Sequence, residues 1–325
     1  MSTAEVHNSE SSKSFIHVPF RPKRTLVGNT KHVIKGIALG PIYMLLAAFS
    51  PMPGLRFRAN CFALGIRALF RLRRRLSLSA IFHLLFMPMD STRYFEFDVV
   101  WKWLAPHPMR RYLDVSSPRL MPVSLLDSRP DVVADLINPD SQDLTESRRW
   151  VDFIDARDRC QLHGCLISDA PFAPDTFDVI TSISVLEHIP EDSIAIKRIW
   201  NLLRPGGVLV LTVPCMARAS EHYIDQNKWG ILEKNSTGYI FWQRLYDESH
   251  LQQRIYSVTG QPDRVSIFGE KRAGSMSSNA ARKRSDLDYP YWREPYMIAT
   301  EFQYFDRLED LPGEGVIALY FVKKQ

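Results

Sequence analysis

The chain has 325 residues, of which 45% are hydrophobic and 24% are charged, so it is not a low-complexity or fibrous protein. Its length is sufficient for one or two hydrophobic cores. The formal net charge of +5 is unevenly distributed. Residues 1–89 contain 13 Lys and Arg and two Glu, a balance of +11, and the rest contain 28 bases and 34 acids, a balance of −6. The basic N-terminal quarter is expected to meet an anionic partner, either lipid headgroups or nucleic acid.

The first apolar segment lies between a polar tail and a cluster of prolines. Residues 1–30 are polar, rich in Ser and without apolar periodicity, which predicts a disordered tail. Residues 33–50, VIKGIALGPIYMLLAAFS, are apolar but contain Pro41, and Pro51 and Pro53 follow them. We therefore expect a helix of about 10–14 residues, a length more typical of interfacial or buried helices than of membrane spans.

Residues 55–86 are rich in arginine and predict a basic amphipathic helix. Its apolar positions are Phe62, Ile66, Leu69 and Leu76, and the adjacent basic strip is Arg67, Arg71 and Arg74. Such a helix is expected to lie in an anionic membrane surface. One alternative is packing on the rest of the protein with a solvated basic face. Another is nucleic-acid contact through the RLRRR run at 71–75, although no aromatic RNA-binding module accompanies it. Residues 31–89 thus form the predicted membrane-associating segment.

The four cysteines do not form a metal-binding pattern. Cys61, Cys160, Cys165 and Cys215 include no CxxC pair. His163 lies between two of them, but no second Cys/His pair completes a four-ligand zinc site. We expect reduced thiols in a cytoplasmic protein, and no metal.

The stretch 177–214 predicts a βαβ unit. Residues 177–183 are apolar and largely β-branched, as in a buried parallel strand. Pro190, Glu191 and Asp192 suit the first turn of a helix. The apolar face of this helix is formed by Ile196, Ile199, Trp200 and Leu203. The Pro-Gly-Gly turn at 205–207 ends the helix, and 208–213 is again a buried strand.

The two halves of this unit, FDVITSISVLEHI and LRPGGVLVLTVP, resemble the class I S-adenosylmethionine-dependent methyltransferases, specifically the type 11-like branch. The resemblance implies an α/β fold with a Rossmann-like, doubly wound, seven-stranded sheet. It also implies S-adenosylmethionine as the cofactor and methyl transfer as the activity. It extends over residues 92–214, and the strand pattern alone continues it to the end of a domain at 90–325.

The remaining strands of such a sheet are predicted from short apolar runs. The first three strands are expected at 111–115, 132–136 and 161–168, and an antiparallel closing pair at 264–268 and 316–322. Residues 270–288 contain four Ser and few apolar residues, which predicts a mobile insertion between the last two strands. Residues 92–104 resemble the helix that often closes over the cofactor in this family, which makes Tyr94 and Glu96 candidate site residues.

The predicted cofactor residues lie after the first three strands, because ligands of this fold bind at the carboxyl ends of the strands. Asp114 occupies the position of the family's acid at the end of the first strand. Asp135 lies 21 residues further on, close to the usual interval to the carboxylate that binds the ribose hydroxyls. The resemblance implies that Asp169 binds the adenine amino group.

The loop after Asp114 departs from the family pattern. The family has a glycine-rich turn, DVGCGxG, whereas this chain has DVSSPRL, with Ser116 and Ser117 in place of the first glycines. Ser116 is expected to replace a glycine only if its dihedral angles are ordinary. Pro118 removes one backbone N–H and Arg119 adds a cation. A binding or scaffold protein that has lost the cofactor is therefore an alternative to an enzyme.

Two candidate catalytic residues follow the fourth strand, on the side where the family binds its acceptor. His188 has a side chain suited to general-base catalysis, and Glu187 precedes it. The alternative for both is a packing or capping role at the start of the next helix. Together with the basic N-terminal segment, these features predict methylation of a small molecule, or of a glycan or lipid-linked acceptor, at the inner, cytoplasmic face of a membrane. RNA methylation is the remaining alternative.

Overall fold

A computed structural model describes residues 12–17, 26–50, 52–71, 76–227, 230, 232–286 and 289–324. The strands are β1 (Ser12–Ile16), β2 (Arg111–Val115), β3 (Val133–Ile137), β4 (Cys160–His163), β5 (Phe177–Ile183), β6 (Leu203–Cys215), β7 (Ser220–Ile224), β8 (Ile240–Leu245), β9 (Arg264–Glu270), β10 (Phe302–Phe305) and β11 (Gly315–Val322). The helices are α1 (Leu26–Ala48), α2 (Leu55–Phe70), α3 (Leu78–Phe86), α4 (Arg93–Leu104), α5 (Leu120–Ser128), α6 (Ser141–Phe153), α7 (Asp192–Leu202), α8 (Glu248–Leu251), α9 (Ser257–Thr259), α10 (Ser275–Ser285) and α11 (Glu294–Glu301).

The central sheet has the order β10-β9-β11-β6-β5-β2-β3-β4. Strands β2 to β6 are parallel, and β9, β10 and β11 join them in antiparallel pairs. This confirms the predicted Rossmann-like α/β fold, and all seven predicted strands are present. The short strand β10 adds an eighth at the edge. The chain runs outward in one direction from β2 to β4 and in the other from β5 to β6. The carboxyl ends of β2 and β5 therefore flank the switch point, where this fold binds ligands.

Both faces of the sheet are covered, and all seven residues of β5 are buried accordingly. Helices α4, α5 and α6 cover one face, and α2 and α3 add buried side chains to the same core. Helix α7 and the helical segment 248–259 cover the other face. The four cysteines are free thiols.

Strand β1 corrects the prediction that residues 1–30 form a disordered tail. Ser12–Ile16 pairs in parallel with β7, which in turn pairs with β8, so the three strands form a second sheet. Helix α1 already begins at Leu26. The local pattern could not reveal β1 because its hydrogen-bond partners lie about 200 residues away in the chain. Residues 1–11 and 18–25 lie outside the described residues.

Helix α1 is 23 residues long and continues through Pro41, so the predicted length of about 10–14 residues is wrong. A proline inside a helix removes a hydrogen bond, and packing along one side of α1 offsets this cost. At Gly36 and Gly40 an added Cβ would lie 3.4 and 3.7 Å from atoms of Trp292, so small residues permit this contact. The rings of Tyr43 and Tyr296 extend it, with centroids 6.0 Å apart.

Arg67 of α2 and Arg71 directly after this helix pair with the rest of the domain, which corrects the prediction that they form a lipid-facing strip. Arg67 forms an ion pair with Asp127, and Arg71 with Asp155 at 2.7 Å. Both guanidinium groups also lie over the ring of Phe153. Helical periodicity cannot distinguish a solvated arginine from one paired with a distant part of the chain. Arg74 lies outside the described residues.

Two shorter predictions also need correction. Residues 275–285 of the predicted mobile insertion form helix α10, and the Glu270 carboxylate accepts hydrogen bonds from the first N–H groups of this region, at Gly274 and Met276. The third central strand ends at His163 rather than at 168, and a 3₁₀ helix at Ile167–Asp169 follows it.

A buried ion network attaches β7 and β8 to the central domain. The Asp192 carboxylate, in the first turn of α7, accepts hydrogen bonds from Arg244 (2.6 Å), Arg254 (2.7 Å) and Tyr246 (2.7 Å). Arg244 also pairs with Glu221 of β7 at 3.0 Å, and its side chain is only 4% exposed. Each charge in the network is therefore compensated inside the protein.

We expect Arg244→Leu to lower the free energy of unfolding by about 3–5 kcal/mol, because it leaves the Asp192 and Glu221 carboxylates buried with fewer partners. Urea denaturation measures the change. Arg149→Leu is the control, since Arg149 forms a surface pair with Glu146 and should matter little. Equal effects of the two substitutions would contradict the importance of the network.

Candidate active site

The carboxyl end of β2 is organised by the buried carboxylate of Asp114. One oxygen accepts hydrogen bonds from Thr181 Oγ1 (2.8 Å) and the Tyr112 hydroxyl (3.2 Å), and the other accepts from the backbone N–H of Ser117 (3.0 Å). Burial raises the pKa of Asp114 to about 6, despite these hydrogen bonds. Asp114 therefore holds the loop after β2 through buried hydrogen bonds. The groups that reach the surface at this edge belong to residues that follow Asp114 in the chain.

Two serines at this edge have positive φ angles. Ser116 has φ +55° and Ser184, directly after β5, has φ +49°. Ser116 thus occupies the family's glycine position with a left-handed backbone conformation. The ordinary dihedral angles expected for it are not observed. The left-handed conformation costs a non-glycine residue about 1–2 kcal/mol. The hydrogen bond from Ser116 Oγ to the Ile137 carbonyl, at 3.0 Å, offsets about 1 kcal/mol of that cost.

Asp135 lies two residues before the end of β3, and its carboxylate does not reach the edge of the sheet. It is 2% exposed, forms an ion pair with Arg111 at 2.9 Å and contacts His163 Nε2 at 2.8 Å. The structure thus brings Asp135 together with a cation and a histidine, away from Ser116 and Ser117. Its assignment to the ribose hydroxyls stays a prediction.

The edge after β3 is occupied by residues that the sequence analysis missed. Asn138 donates a hydrogen bond from Nδ2 to Asp143 Oδ2 at 2.9 Å, and the other oxygen of Asp143 pairs with Arg119. Asp140 caps α6 by accepting hydrogen bonds from the N–H groups of its first turn. The Asn-Pro-Asp sequence before α6 was an available signal, because it is typical of a strand-to-helix turn that ends in an N-cap.

Asp169 lies beyond β4, at the end of the 3₁₀ helix, with its side chain exposed. Its carboxylate accepts a hydrogen bond from the Ser168 hydroxyl at 3.2 Å. Of the predicted cofactor residues, Asp169 is the exposed carboxylate at this edge, where a ligand can reach it.

Glu96 of α4 connects this helix to the edge of β5 and β6. It is 1% exposed, accepts hydrogen bonds from Thr212 Oγ1 (2.6 Å) and the Ser184 hydroxyl, and pairs with Arg93 at 2.8 Å. Tyr94 points away from this cluster, and its buried hydroxyl accepts a hydrogen bond from Arg58 of α2. Tyr94 and Glu96 were both candidates by family resemblance. The structure brings only Glu96 into the site.

Glu187 has an unusual carboxyl group. It is 3% exposed, and its Oε2 atom has no hydrogen-bond partner among the described residues. Burial raises its pKa to about 8, and the nearby Glu96 acts in the same direction although Arg93 opposes it. Burial therefore favours the neutral carboxylic acid form of Glu187, which can donate a hydrogen bond.

The ring of His188 is oriented by β8. Its Nδ1 lies 2.5 Å from the backbone carbonyl of Trp242, and the Trp242 ring packs against it with centroids 4.9 Å apart. A carbonyl only accepts hydrogen bonds, so Nδ1 carries the proton and Nε2 is the basic nitrogen of the neutral ring. Nε2 lies 3.8 Å from Glu187 Oε1. The two predicted catalytic residues thus lie together, and Trp242 is a contact that sequence spacing could not reveal.

The pKa of Glu187 predicts a pH dependence of stability. The folded protein binds one proton more than the unfolded chain between the ordinary value of 4.5 and the folded value of about 8. The free energy of unfolding should therefore fall, through this group, as the pH rises across that window. Glu187→Gln stays neutral, so the stability of the wild type relative to this variant should decline over the same window in urea denaturation. Parallel profiles would contradict the assignment, and Glu146→Gln, a surface change, serves as control.

Comparison with known proteins agrees with this architecture. Residues 137–211 match a family model described as "Methyltransferase domain". The C-methyltransferase UbiE of ubiquinone/menaquinone biosynthesis from Cereibacter sphaeroides is 29% identical over 118 residues, which are 35% of this chain and 46% of the relative. The chain thus spans about half the length of the curated relatives it matches.

Several solved structures are similar at low sequence identity. The MccD protein has a TM-score of 0.47 at 12% identity, with 71% of this chain and 96% of that chain covered. Phosphoethanolamine N-methyltransferase 2 of Haemonchus contortus has a TM-score of 0.45 at 13% identity, with coverages of 71% and 53%. The family match lies on the β3–β6 region that carries the predicted motifs. Residues 137–211 are therefore similar to a methyltransferase domain, and the matched relative is a methyltransferase by name.

Proposed function

We propose that this protein transfers a methyl group from S-adenosylmethionine to an acceptor bound beside Glu187 and His188. The observation that carries the proposal is the buried Glu187 carboxyl group at the carboxyl edge of the methyltransferase-like region, one oxygen of which has no hydrogen-bond partner in the part of the chain that the structure describes. A neutral acid next to a basic imidazole nitrogen suits an acceptor that must be oriented and then deprotonated. S-adenosylmethionine would supply the electrophilic methyl group.

The polar groups at the edge fit such a cofactor in their chemistry. Ribose hydroxyls and an adenine amino group need acceptors, and Asp143 and Asp169 supply carboxylates after two adjacent strands. Asn138 adds an amide between them. The backbone at Ser116 and Ser117 supports the amino-acid part of the ligand, because the positive φ of Ser116 turns the chain as a glycine would.

The two candidate catalytic residues have different roles toward the acceptor. Because its Nδ1 proton is held by the Trp242 carbonyl, His188 presents Nε2 as the general base. Glu187 hydrogen-bonds the acceptor in its neutral form and orients it, since alignment alone supplies much of the rate of a group transfer. Glu96 is already satisfied by Ser184, Thr212 and Arg93, so it acts as a positioning residue.

The alternative of a non-catalytic scaffold is motivated by one observation. Arg119 pairs with Asp143, so one of the proposed acceptors for the ribose is already neutralised in the absence of ligand. A cofactor must compete with that ion pair. The two side chains are 31% and 29% exposed, so water partly screens the pair, and a ligand with several hydrogen bonds can exceed its contribution. The comparison of this ion pair with the hydrogen bonds of a bound cofactor favours an enzyme over a scaffold.

Binding of S-adenosylhomocysteine, the demethylated product, tests the cofactor site by isothermal titration calorimetry. Asp169→Ala should weaken binding by about 10–100-fold, because one charged hydrogen bond is worth about 1.5–3 kcal/mol. Asp158→Ala is the matched control, since Asp158 is an exposed acid at the opposite end of the same strand, β4. Absence of binding by the wild type at millimolar ligand would favour the scaffold, and equal affinities of the two variants would exclude Asp169 from the site.

We further propose that the protein lies on the cytoplasmic face of a membrane through α1 and α2, and that its acceptor is a glycan or a lipid-linked molecule there. Large apolar side chains of both helices point outward, among them Ile34, Ile37, Ile42, Leu45, Leu46, Phe62, Ile66, Leu69 and Phe70. Lys31, Lys35 and Arg56 are exposed as well and suit anionic headgroups. The UbiE relative is a C-methyltransferase by name, so transfer to carbon is one of the possible reactions.

Helix α1 is long and apolar enough to span a membrane by length and composition, with 17% of the 18-residue window buried. An orientation in the membrane plane is favoured because one side of α1 packs on Trp292 and Tyr296, and a span would have to break these contacts. RNA is a weaker candidate partner than lipid, because Arg67 and Arg71 are paired with Asp127 and Asp155.

Co-sedimentation with vesicles of phosphatidylcholine and phosphatidylglycerol tests the membrane surface. The double variant Ile37→Glu/Leu45→Glu should bind at least about tenfold more weakly, because two charges must enter the apolar part of the interface. Ile194→Glu is the control, since Ile194 is an equally exposed isoleucine on α7. Unchanged binding of the double variant, or no vesicle binding by the wild type, would contradict the proposal.

A further inference from the structure

An open cavity lies between the N-terminal helices and the C-terminal part of the chain. It has a volume of about 580 Å³ and lies away from the cofactor edge. Its walls come from α1, α3, the segment between α3 and α4, and the region at the start of α11. Ligand-binding cavities typically measure about 300–1,000 Å³, so this one is large enough for a small organic molecule.

The cavity lining combines apolar and acidic side chains. Val33, Phe82, Met87 and Met89 are apolar, and Asp90 and Glu294 are acids. Lys283 pairs with both acids, and Glu294 also accepts hydrogen bonds from the backbone N–H of Ser91 (2.7 Å) and from the Tyr289 hydroxyl (3.1 Å). Such a lining suits an amphiphile, with a hydrocarbon part and a polar end.

The cavity borders the proposed membrane surface. Val33 lines it and is 37% exposed, and the adjacent Ile34, at 60% exposed, belongs to the outward apolar side of α1. A hydrocarbon chain could therefore pass from the apolar surface of α1 into the cavity with little exposure to water, which the hydrophobic effect favours.

The cavity also borders the helix that reaches the candidate active site. Asp90 and Ser91 lead directly into α4, and Glu96 of α4 binds Ser184 and Thr212 at the carboxyl edge. Helix α4 begins at Arg93, three residues after Asp90, and Glu96 lies in its first turn. The cavity thus borders the segment that leads into the helix carrying Glu96.

We propose that this cavity binds the hydrocarbon part of a single-chain amphiphile taken from the membrane. The inference goes beyond the proposed function and does not depend on it, because the cavity lies away from the cofactor edge. Binding itself depends on the cavity. The chain lies against Phe82 and Met87, and the polar end faces Asp90.

Fluorescence titration with an anthroyloxy-labelled alkylammonium amphiphile, whose cationic end complements Asp90, tests the proposal on the full-length protein without vesicles. The wild type should bind the probe, and Val33→Trp should weaken binding at least about tenfold by filling the cavity. Ile34→Trp is the matched control, because it adds the same ring one residue further along α1, on the outward side. Met87→Trp, at the residue directly after α3, should act like Val33→Trp.

Calorimetry with S-adenosylhomocysteine on the same variants shows whether they are folded and separates this inference from the proposed function. Weaker probe binding in Val33→Trp and Met87→Trp with unchanged calorimetric behaviour supports the cavity. No probe binding by the wild type, or equal probe binding by Val33→Trp and Ile34→Trp, overturns the inference even if the cofactor binds. If Val33→Trp does not fold, Met87→Trp decides by the same criterion.

Discussion

The buried carboxylate of Glu96 is the contact on which the arrangement of the candidate site depends. It joins α4 to β5 through Ser184 and to β6 through Thr212, and it keeps Arg93 beside the Glu187 carboxyl group. A charge this deeply buried is stable only while its partners remain in place. Helix α2 packs on α4 through Phe57 and Phe97, so it contacts the helix that carries Glu96 to this edge.

The same edge carries two energetic costs, a strained backbone and an unsatisfied carboxyl oxygen. Ser116 and Ser184 adopt positive φ angles, and Glu187 holds a carboxyl oxygen without a hydrogen-bond partner among the described residues. Strained backbone and unsatisfied polar groups concentrate at functional sites because the surrounding fold can hold them there. The buried Asp192–Arg244 network, which fixes the β7–β8 hairpin and with it Trp242 beside His188, is part of that support.

Much of the central fold could be predicted because its strands and helices follow from local sequence patterns. The stretch 177–214 has continuous apolar strands, an amphipathic helix and a Pro-Gly-Gly turn, and each of these depends on near neighbours alone. The peripheral elements could not be predicted in this way. Strand β1 exists through hydrogen bonds to β7, and α1 continues through Pro41 because Trp292 packs against Gly36 and Gly40. Both partners are more than 200 residues distant in the sequence.

For the site, the sequence determined which strand ends carry polar groups, since motif spacing fixes position along the chain. It placed Asp114, Asp169, Glu187 and His188 at one edge. The direction and pairing of each side chain depended on the tertiary structure. Asp135 lies on the expected strand, yet it points to Arg111 and His163 and leaves the edge to Asn138 and Asp143. A one-dimensional pattern records the order of residues, whereas ion pairing and burial are decided by contacts between segments that are distant in that order.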